Sequence, residues 1–143
     1  MEGRGNLIPG IKHSHIFDSS YNASPDSVDM AIETLSELEG VKRRIAILGD
    51  MLEIGTYSTE AHLALGRHAA TRVDYLVAIG ARGAFIADGA KEVGIDLERL
   101  STFHTTKEAL PHLDALIREG DCILVKASHA MHFETIVEEI RYK

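Results

Sequence analysis

The sequence predicts an α/β fold in which a mainly parallel sheet of five or six strands lies between two layers of helices. Two observations predict it. Short, β-branched apolar runs alternate five times with longer segments whose apolar residues recur at helical spacing. The chain is also 143 residues long, enough for one domain with a sizeable core and no need of metal or disulfide staples. Right-handed crossovers are expected between the parallel strands.

The first dozen residues hold three glycines and Pro9 and read as the remnant of an interdomain linker, which places the domain at 13–143. His13 to Asp18 forms the first predicted strand. Ser24-Pro25-Asp26 then opens a helix, with serine as cap, proline at the first helical position and an acid in the first turn. Val28, Ala31, Ile32, Leu35 and Leu38 line that helix and Gly40 ends it. Arg44 to Leu48 is the second strand, closed by Gly49-Asp50, and Ser58 caps a helix running to about Ala70. Tyr75 to Ile79 is the third strand, followed by a helix from about Arg82 to Val93. Thr102 to His104 is a short fourth strand. Thr105 and Glu108 have capping-box spacing and open a helix carrying Leu110, Leu113, Leu116 and Ile117. Cys122 to Lys126 is the fifth strand, and a last helix beginning near Ser128 buries Phe133, Ile136, Val137 and Ile140.

Composition excludes several classes of function. A formal net charge of -7, without any run of Lys or Arg, argues against a nucleic-acid partner. No apolar stretch approaches membrane-spanning length and no signal-peptide pattern opens the chain, so membrane insertion is not expected and a cytoplasmic location is. The single cysteine, Cys122, sits within an apolar strand and reads as core packing in a reducing compartment. His129 and His132 have one-turn spacing, but no third ligand stands nearby and no metal site is assigned. No G-x-x-x-x-G-K-[ST] loop occurs, which removes the usual means of holding a triphosphate.

In parallel α/β sheets ligands bind beyond the carboxyl ends of the strands. That rule selects Asp18 to Ser24, Gly49 to Tyr57, Gly80 to Gly83 and Lys126 to His132. The first segment offers a carboxylate, Asn22 as donor and acceptor, and Tyr21 to pack a flat group; a solvated turn with a helix cap is the plainer reading. The second sets Asp50 and Glu53 among Met51, Leu52 and Ile54, apolar residues that call for a packing partner, another domain or a substrate. Lys126, beside Ser128 and His129 at a helix start, is a reasonable site for an anion or carboxylate, or else a solvated strand end.

Three segments in order resemble the C-terminal domain of MurF-type Mur ligases. They are Ser20-Tyr21-Asn22-Ala23-Ser24-Pro25-Asp26-Ser27, then Ile47-Leu48-Gly49-Asp50-Met51-Leu52-Glu53-Ile54-Gly55 with Tyr57-Ser58 and Glu60-Ala61-His62, then Leu124-Val125-Lys126-Ala127-Ser128 with Met131, Glu134 and Ile136-Val137. The resemblance covers nearly the whole chain, and it implies a Rossmann-like, three-layer domain. It further implies an enzyme in which a central ATPase domain and an N-terminal UDP-sugar domain act with this one. With ATP and Mg2+, such an enzyme activates the carboxylate of a UDP-N-acetylmuramoyl-tripeptide for attack by D-alanyl-D-alanine. Closure of the C-terminal domain brings the reactants together and excludes water. The isolated chain, without a phosphate loop, is expected to be inactive and monomeric.

Carried over position by position, the resemblance assigns Arg4, Asp18, Ser19, Tyr21 and Asn22 to ATP. It assigns Asp50, Glu53, Lys126, Ser128 and His129 to the substrate. Two departures stand out. Where the family usually holds the ribose with Asp, this chain has Ser19, with Asp18 one residue earlier; either Asp18 does that work from a slightly different strand end or the contact is weakened. Where the family commonly has Gly and Arg, it has Ala127 and His129, so dipeptide affinity is expected to fall as pH rises through the ordinary histidine range near ~6.5. A different class of function is a receiver-like or nucleotide-binding interaction module. Asp18 and Lys126 would suit a receiver, but the third strand ends Ile79-Gly80, without the phospho-accepting Asp.

Overall fold

The computed structural model describes residues 6–18, 24–51 and 58–143, with the side chains of Asn6, Asp18 and His129 outside that description. The chain runs β1 (Asn6–Pro9), β2 (His15–Asp18), α1 (Pro25–Glu37), β3 (Arg43–Gly49), α2 (Ser58–Ala70) and β4 (Tyr75–Ile79). It continues through α3 (Gly83–Glu92), β5 (Leu100–Phe103), α4 (Thr106–Leu116), β6 (Asp121–Lys126) and α5 (Glu134–Ile140). The strands form one six-stranded sheet in the order β1-β2-β6-β3-β4-β5. Only β1 is antiparallel to its neighbour. The expected α/β architecture is therefore present.

Strand order fixes the layers. From β2 to β3, β4 and β5 the chain steps in one direction, so right-handed crossovers put α1, α2 and α3 on one face. It then returns from β5 to insert β6 between β2 and β3, which puts α4 on the other face, where α5 joins it. Two cores result. Val28, Ile32 and Leu35 of α1, Leu65 of α2 and Ile86 of α3 pack on Leu48, Leu76 and Leu124. Leu113 of α4 and Ile136 and Ile140 of α5 pack on Ile45, Ile47, Val77, Ile123 and Val125. The two-residue alternation along β3 and β6 feeds both cores, as expected of central strands buried on both faces.

Local signals in the sequence act as read. Ser24 and Ser27 form a reciprocal capping box behind Pro25, and Thr105 and Glu108 form another at α4. The guanidinium of Arg44 bonds the carbonyls of Leu35 and Leu38, tying the end of α1 to the start of β3. Helices α2 and α3 pack with their backbones in contact. A Cβ on Gly66 would lie 1.9 Å from the Ile86 carbonyl oxygen, and one on Gly89 would lie 2.0 Å from that of Leu63.

Two expectations need correction. Residues Asn6–Pro9, expected to be linker, pair with His15–Asp18 and add an edge strand. An edge strand bonds on one side only and so tolerates Pro9. The last helix does not begin near Ser128: His129–Met131 form a 3-10 turn, His132 adopts φ 57, and α5 starts at Glu134. His129 and His132 thus do not share a helical turn. The receiver alternative also fails here. A receiver sheet runs 2-1-3-4-5, whereas here the last parallel strand, β6, lies between the first two.

Candidate functional site at the carboxyl end of β6

The reversal of direction at β6 creates the site. Strands β2 and β3 send their following helices to one face, while β6 between them sends α5 to the other, so the chain parts on either side of the β6 carboxyl end. Such a topological switch point is where open α/β sheets hold ligands. Asp18 closes β2 opposite Val125. Lys126 closes β6 opposite Leu48, and Gly49-Asp50 leaves β3 immediately beyond. Three of the four segments selected from sequence therefore start at one crevice. A separate cleft of about 350 Å³, lined by His13, His15, Lys42 and Cys122, opens at the amino-terminal edge, away from this convergence.

The polar residues at the switch point are buried. Lys126 is 3% exposed, not a solvated strand end, and Asp50 is 5% exposed. The Ser128 amide donates to the Asp50 carbonyl at 3.0 Å, joining the exits of β6 and β3. The Asp50 carboxylate turns towards α3: Oδ1 accepts the Arg82 backbone amide at 2.9 Å, and Oδ2 lies 3.9 Å from Arg82 Nη1. Gly80 makes room for it with φ +110, since a Cβ there would stand 2.5 Å from Oδ1. Arg82 Nε in turn donates to Ser58 Oγ at 2.9 Å.

The same geometry removes Gly80-Ala81-Arg82-Gly83 as a phosphate cradle. Its Arg82 amide is held by Asp50, and the Gly83 amide donates to the Gly80 carbonyl. Among the described residues no group of three or more His, Cys, Asp or Glu could hold a metal ion. The described side chains therefore offer Mg2+ no ligand set. Arg4, Ser19, Tyr21, Asn22 and Glu53 lie outside the described residues, and Asp18 and His129 are placed by backbone alone.

Two contributors were not singled out from sequence, Arg82 and His62. His62 is fully buried one turn into α2; its Nε2 accepts the Met51 amide at 2.9 Å, and Nδ1 lies 2.5 Å from the Ser58 carbonyl oxygen. Burial pushes its pKa below the ordinary 6.5, against the upward pull of the Ser58 carbonyl and the Asp50 charge; Arg82 adds to the lowering. The ring is therefore neutral near pH 7, with its proton on Nδ1. Its only sequence signal was its place in Glu60-Ala61-His62.

Residues 3–129 match the family model described as Mur ligase, glutamate ligase domain. The chain belongs to the Mur ligase family. It is 36% identical over 138 residues to UDP-N-acetylmuramoyl-tripeptide–D-alanyl-D-alanine ligase of Bacillus subtilis (strain 168), a match covering 96% of this chain and 30% of the relative. Among solved structures it resembles MurF from Acinetobacter baumannii, with TM-score 0.82 and 31% identity over 97% of this chain and 30% of that one. It also resembles MurF ligase from Thermotoga maritima in complex with ADP, with TM-score 0.76 and 26% identity over the same shares. The chain thus spans about 30% of the length of the Mur ligases it matches. None of its described helices is long and apolar enough to cross a membrane.

Proposed function

We propose that this chain is the C-terminal domain of an ATP-dependent ligase that joins D-alanyl-D-alanine to a UDP-N-acetylmuramoyl-tripeptide in the making of peptidoglycan precursors. The observation that carries the reading is the convergence at one switch point of the segments after β2, β3 and β6, the three stretches in which the MurF resemblance is concentrated. The 36% identity to a ligase of that name, running along 96% of the chain, supports it.

In this reading the domain closes on a central ATPase domain and an N-terminal UDP-sugar domain and works as a monomer in the cytoplasm. The segment after β2, with Asp18 or Ser19 and with Tyr21 and Asn22, meets the nucleotide together with Arg4. The segments after β3 and β6 meet the dipeptide. Lys126 supplies positive charge near the dipeptide carboxylate, with Ser128, His129 and Glu53 as further substrate contacts. Asp50 acts indirectly, because its carboxylate is taken up by Arg82. ATP supplies the phosphoryl group that activates the sugar-peptide carboxylate. Mg2+ belongs with the phosphates on the central domain, since the described residues here offer it no ligand set. The chain's own work is to orient the incoming amine and to exclude water as the domains close.

The test is a domain exchange. Replacing the corresponding domain of the Bacillus subtilis ligase with this chain is expected to retain D-alanyl-D-alanine-dependent release of phosphate. Release driven by a single amino acid and not by the dipeptide would move the chain to a different member of the family. In the active chimera, dipeptide affinity is expected to fall as pH rises through about 6.5 and to become flat in His129→Arg. An identical pH profile in the two proteins would remove His129 from the site.

A further inference from the structure

Met51 follows the exit of β3 and Ser58 opens α2, and one imidazole meets both. His62 Nε2 meets the Met51 amide at 2.9 Å and Nδ1 meets the Ser58 carbonyl at 2.5 Å. An amide nitrogen can only donate and a carbonyl can only accept, so one tautomer alone satisfies both contacts. The plain alternative is a core histidine that merely quenches buried polar groups. The Ser58 carbonyl does not need quenching, because as the first residue of α2 it can already accept the backbone amide four residues on. Its bond to Nδ1 instead sets the ring so that the lone pair on Nε2 faces Met51. Just before Met51 the chain is held again. Asp50 takes the Ser128 amide on its carbonyl and the Arg82 amide on its carboxylate, and Arg82 returns to Ser58 Oγ. The contacts close a circuit through the exit of β3 and the starts of α2 and α3, with the exit of β6 attached to it at Asp50.

We propose that His62 is a positioning residue: as a neutral, Nδ1-protonated ring it clasps Met51 to Ser58 and so fixes the exit of β3 against the start of α2. The link from this clasp to dipeptide binding rests on the reading under Proposed function; the clasp itself does not. Protonation would set a donor on Nε2 against the Met51 amide. The folded pKa is depressed, so the clasp's stability is present above about 6.5 and is lost as pH falls below it. The charged groups facing the ring are Asp50 from the β3 exit and Arg82 from α3, with opposite effects on it.

The experiment uses the 143-residue chain and the chimera with His62→Gln, which keeps an acceptor within reach of Met51, and His62→Leu, which keeps only bulk. In the parent chain at pH 7, imidazole nitrogen shifts should report the Nδ1–H tautomer, and the Met51 amide should exchange slowly. His62→Leu should speed that exchange about tenfold, the loss of one hydrogen bond, with the Val77 amide in β4 unchanged. His62→Gln should stay near the parent. As pH is lowered through the titration of the His62 ring, followed by its own imidazole shifts, the parent should lose Met51 protection and His62→Gln should not; this comparison decides the matter even if His62→Leu does not fold. In the chimera, His62→Leu should raise the D-alanyl-D-alanine KM about tenfold with kcat within about twofold, and His62→Gln should restore it. An Nε2–H tautomer, a rapidly exchanging Met51 amide in the parent, or an unchanged KM in His62→Leu would overturn the proposal. If the parent chimera does not use the dipeptide, the function proposed above fails, while the tautomer and exchange results still decide the clasp.

Discussion

Substituting Gly66 by alanine sets two effects of opposite sign against each other. Alanine in a helix interior is favoured over glycine by about 1 kcal/mol, which alone would stabilise α2. The added methyl, however, would sit 1.9 Å from the Ile86 carbonyl oxygen, 2.8 Å from its carbonyl carbon and 3.0 Å from the Ala90 nitrogen. All three are backbone atoms of α3, so no side-chain rotation relieves the contact. Bringing the shortest distance to even 3.0 Å, the tight limit for a real Cβ, requires the two helices to part by about 1 Å. Gly89 faces the Leu63 carbonyl in the same way, so the interface cannot shear past the obstruction. Parting loosens Leu65 and Ala69 from Ile86 and Ala90, all within one core. Overpacking of this severity costs about 3 kcal/mol or more, leaving a net loss of about 2 kcal/mol. For a chain of this size that lowers Tm by about 4–8 °C. Thermal and urea unfolding followed by far-ultraviolet circular dichroism would measure it, with Gly40→Ala as comparison. Gly40 has φ +79 and no atom within 4 Å of a Cβ, so that variant loses only the local backbone cost of about 1–2 kcal/mol. A Gly66→Ala chain unfolding at or above the parent temperature would refute the backbone-contact account of the α2–α3 interface.

Other outcomes follow from the same geometry. Asp121 is 1% exposed, accepts Arg43 Nε at 3.0 Å and Nη2 at 2.8 Å, and also takes the Arg118 amide. Asp121→Asn should cost about 3 kcal/mol, the low end for a broken buried pair because Arg43 keeps some solvent, and urea unfolding would read it. Gly80→Ala combines φ +110 with a Cβ 2.5 Å from Asp50 Oδ1. It should displace the carboxylate from the Arg82 amide and cost about 2–3 kcal/mol, seen as lower stability together with a moved Arg82 amide resonance. Cys122 has its pKa pushed up to about 11 by burial, with Asp121 adding and Arg44 opposing. A disulfide reagent at pH 8 should therefore label it only as fast as the chain unfolds, and rapid native labelling would contradict its placement. Because that pKa is raised in the fold, the associated stability is intact below about 9 and declines as pH climbs towards 11.

The parallel strands were legible because central strands, buried on both faces, must be apolar and β-branched, and Arg44 to Leu48 and Cys122 to Lys126 read that way without a partner in view. Helices α1 and α4 were legible from their caps, since a capping box is a contact three residues long. What escaped notice depends on distant parts of the chain. Strand β1 exists because β2 offers it an edge, which Pro9 and the glycines around it do not announce. The start of α5 moved because His132 takes a left-handed backbone, a choice that nothing at Ser128 signals. Strand order was unreadable as well, because no local pattern says that β6 inserts between β2 and β3, and the crevice exists only because it does. The rule about strand ends therefore named segments one by one, without showing that three of them start side by side. His62 and Arg82 were passed over for the same reason. Helical spacing puts Ser58 beside His62, but no periodic pattern can place Met51 beside that ring, or Asp50 and Ser58 beside Arg82.

The two ends of the sheet use polar groups differently, and this separates stability from function. At the amino-terminal end, Arg43 joins Asp121 to the Leu116 carbonyl at the end of α4, and Arg44 joins β3 to the last carbonyls of α1. These cations sit at helix C-termini, where the backbone dipoles favour them, and they fasten strands to helices. At the carboxyl end the polar contacts fasten connections to one another: Ser128 to Asp50, Met51 to His62, and Arg82 to Asp50 and Ser58. A contact between connections adds little to a core already closed on both faces, but it sets the positions of the chain segments that border the crevice. Weakening Arg43 or Asp121 should therefore lower Tm and leave the dipeptide KM of a chimera near its parent value. Weakening His62 or Arg82 should do the reverse, raising KM with a smaller change in Tm.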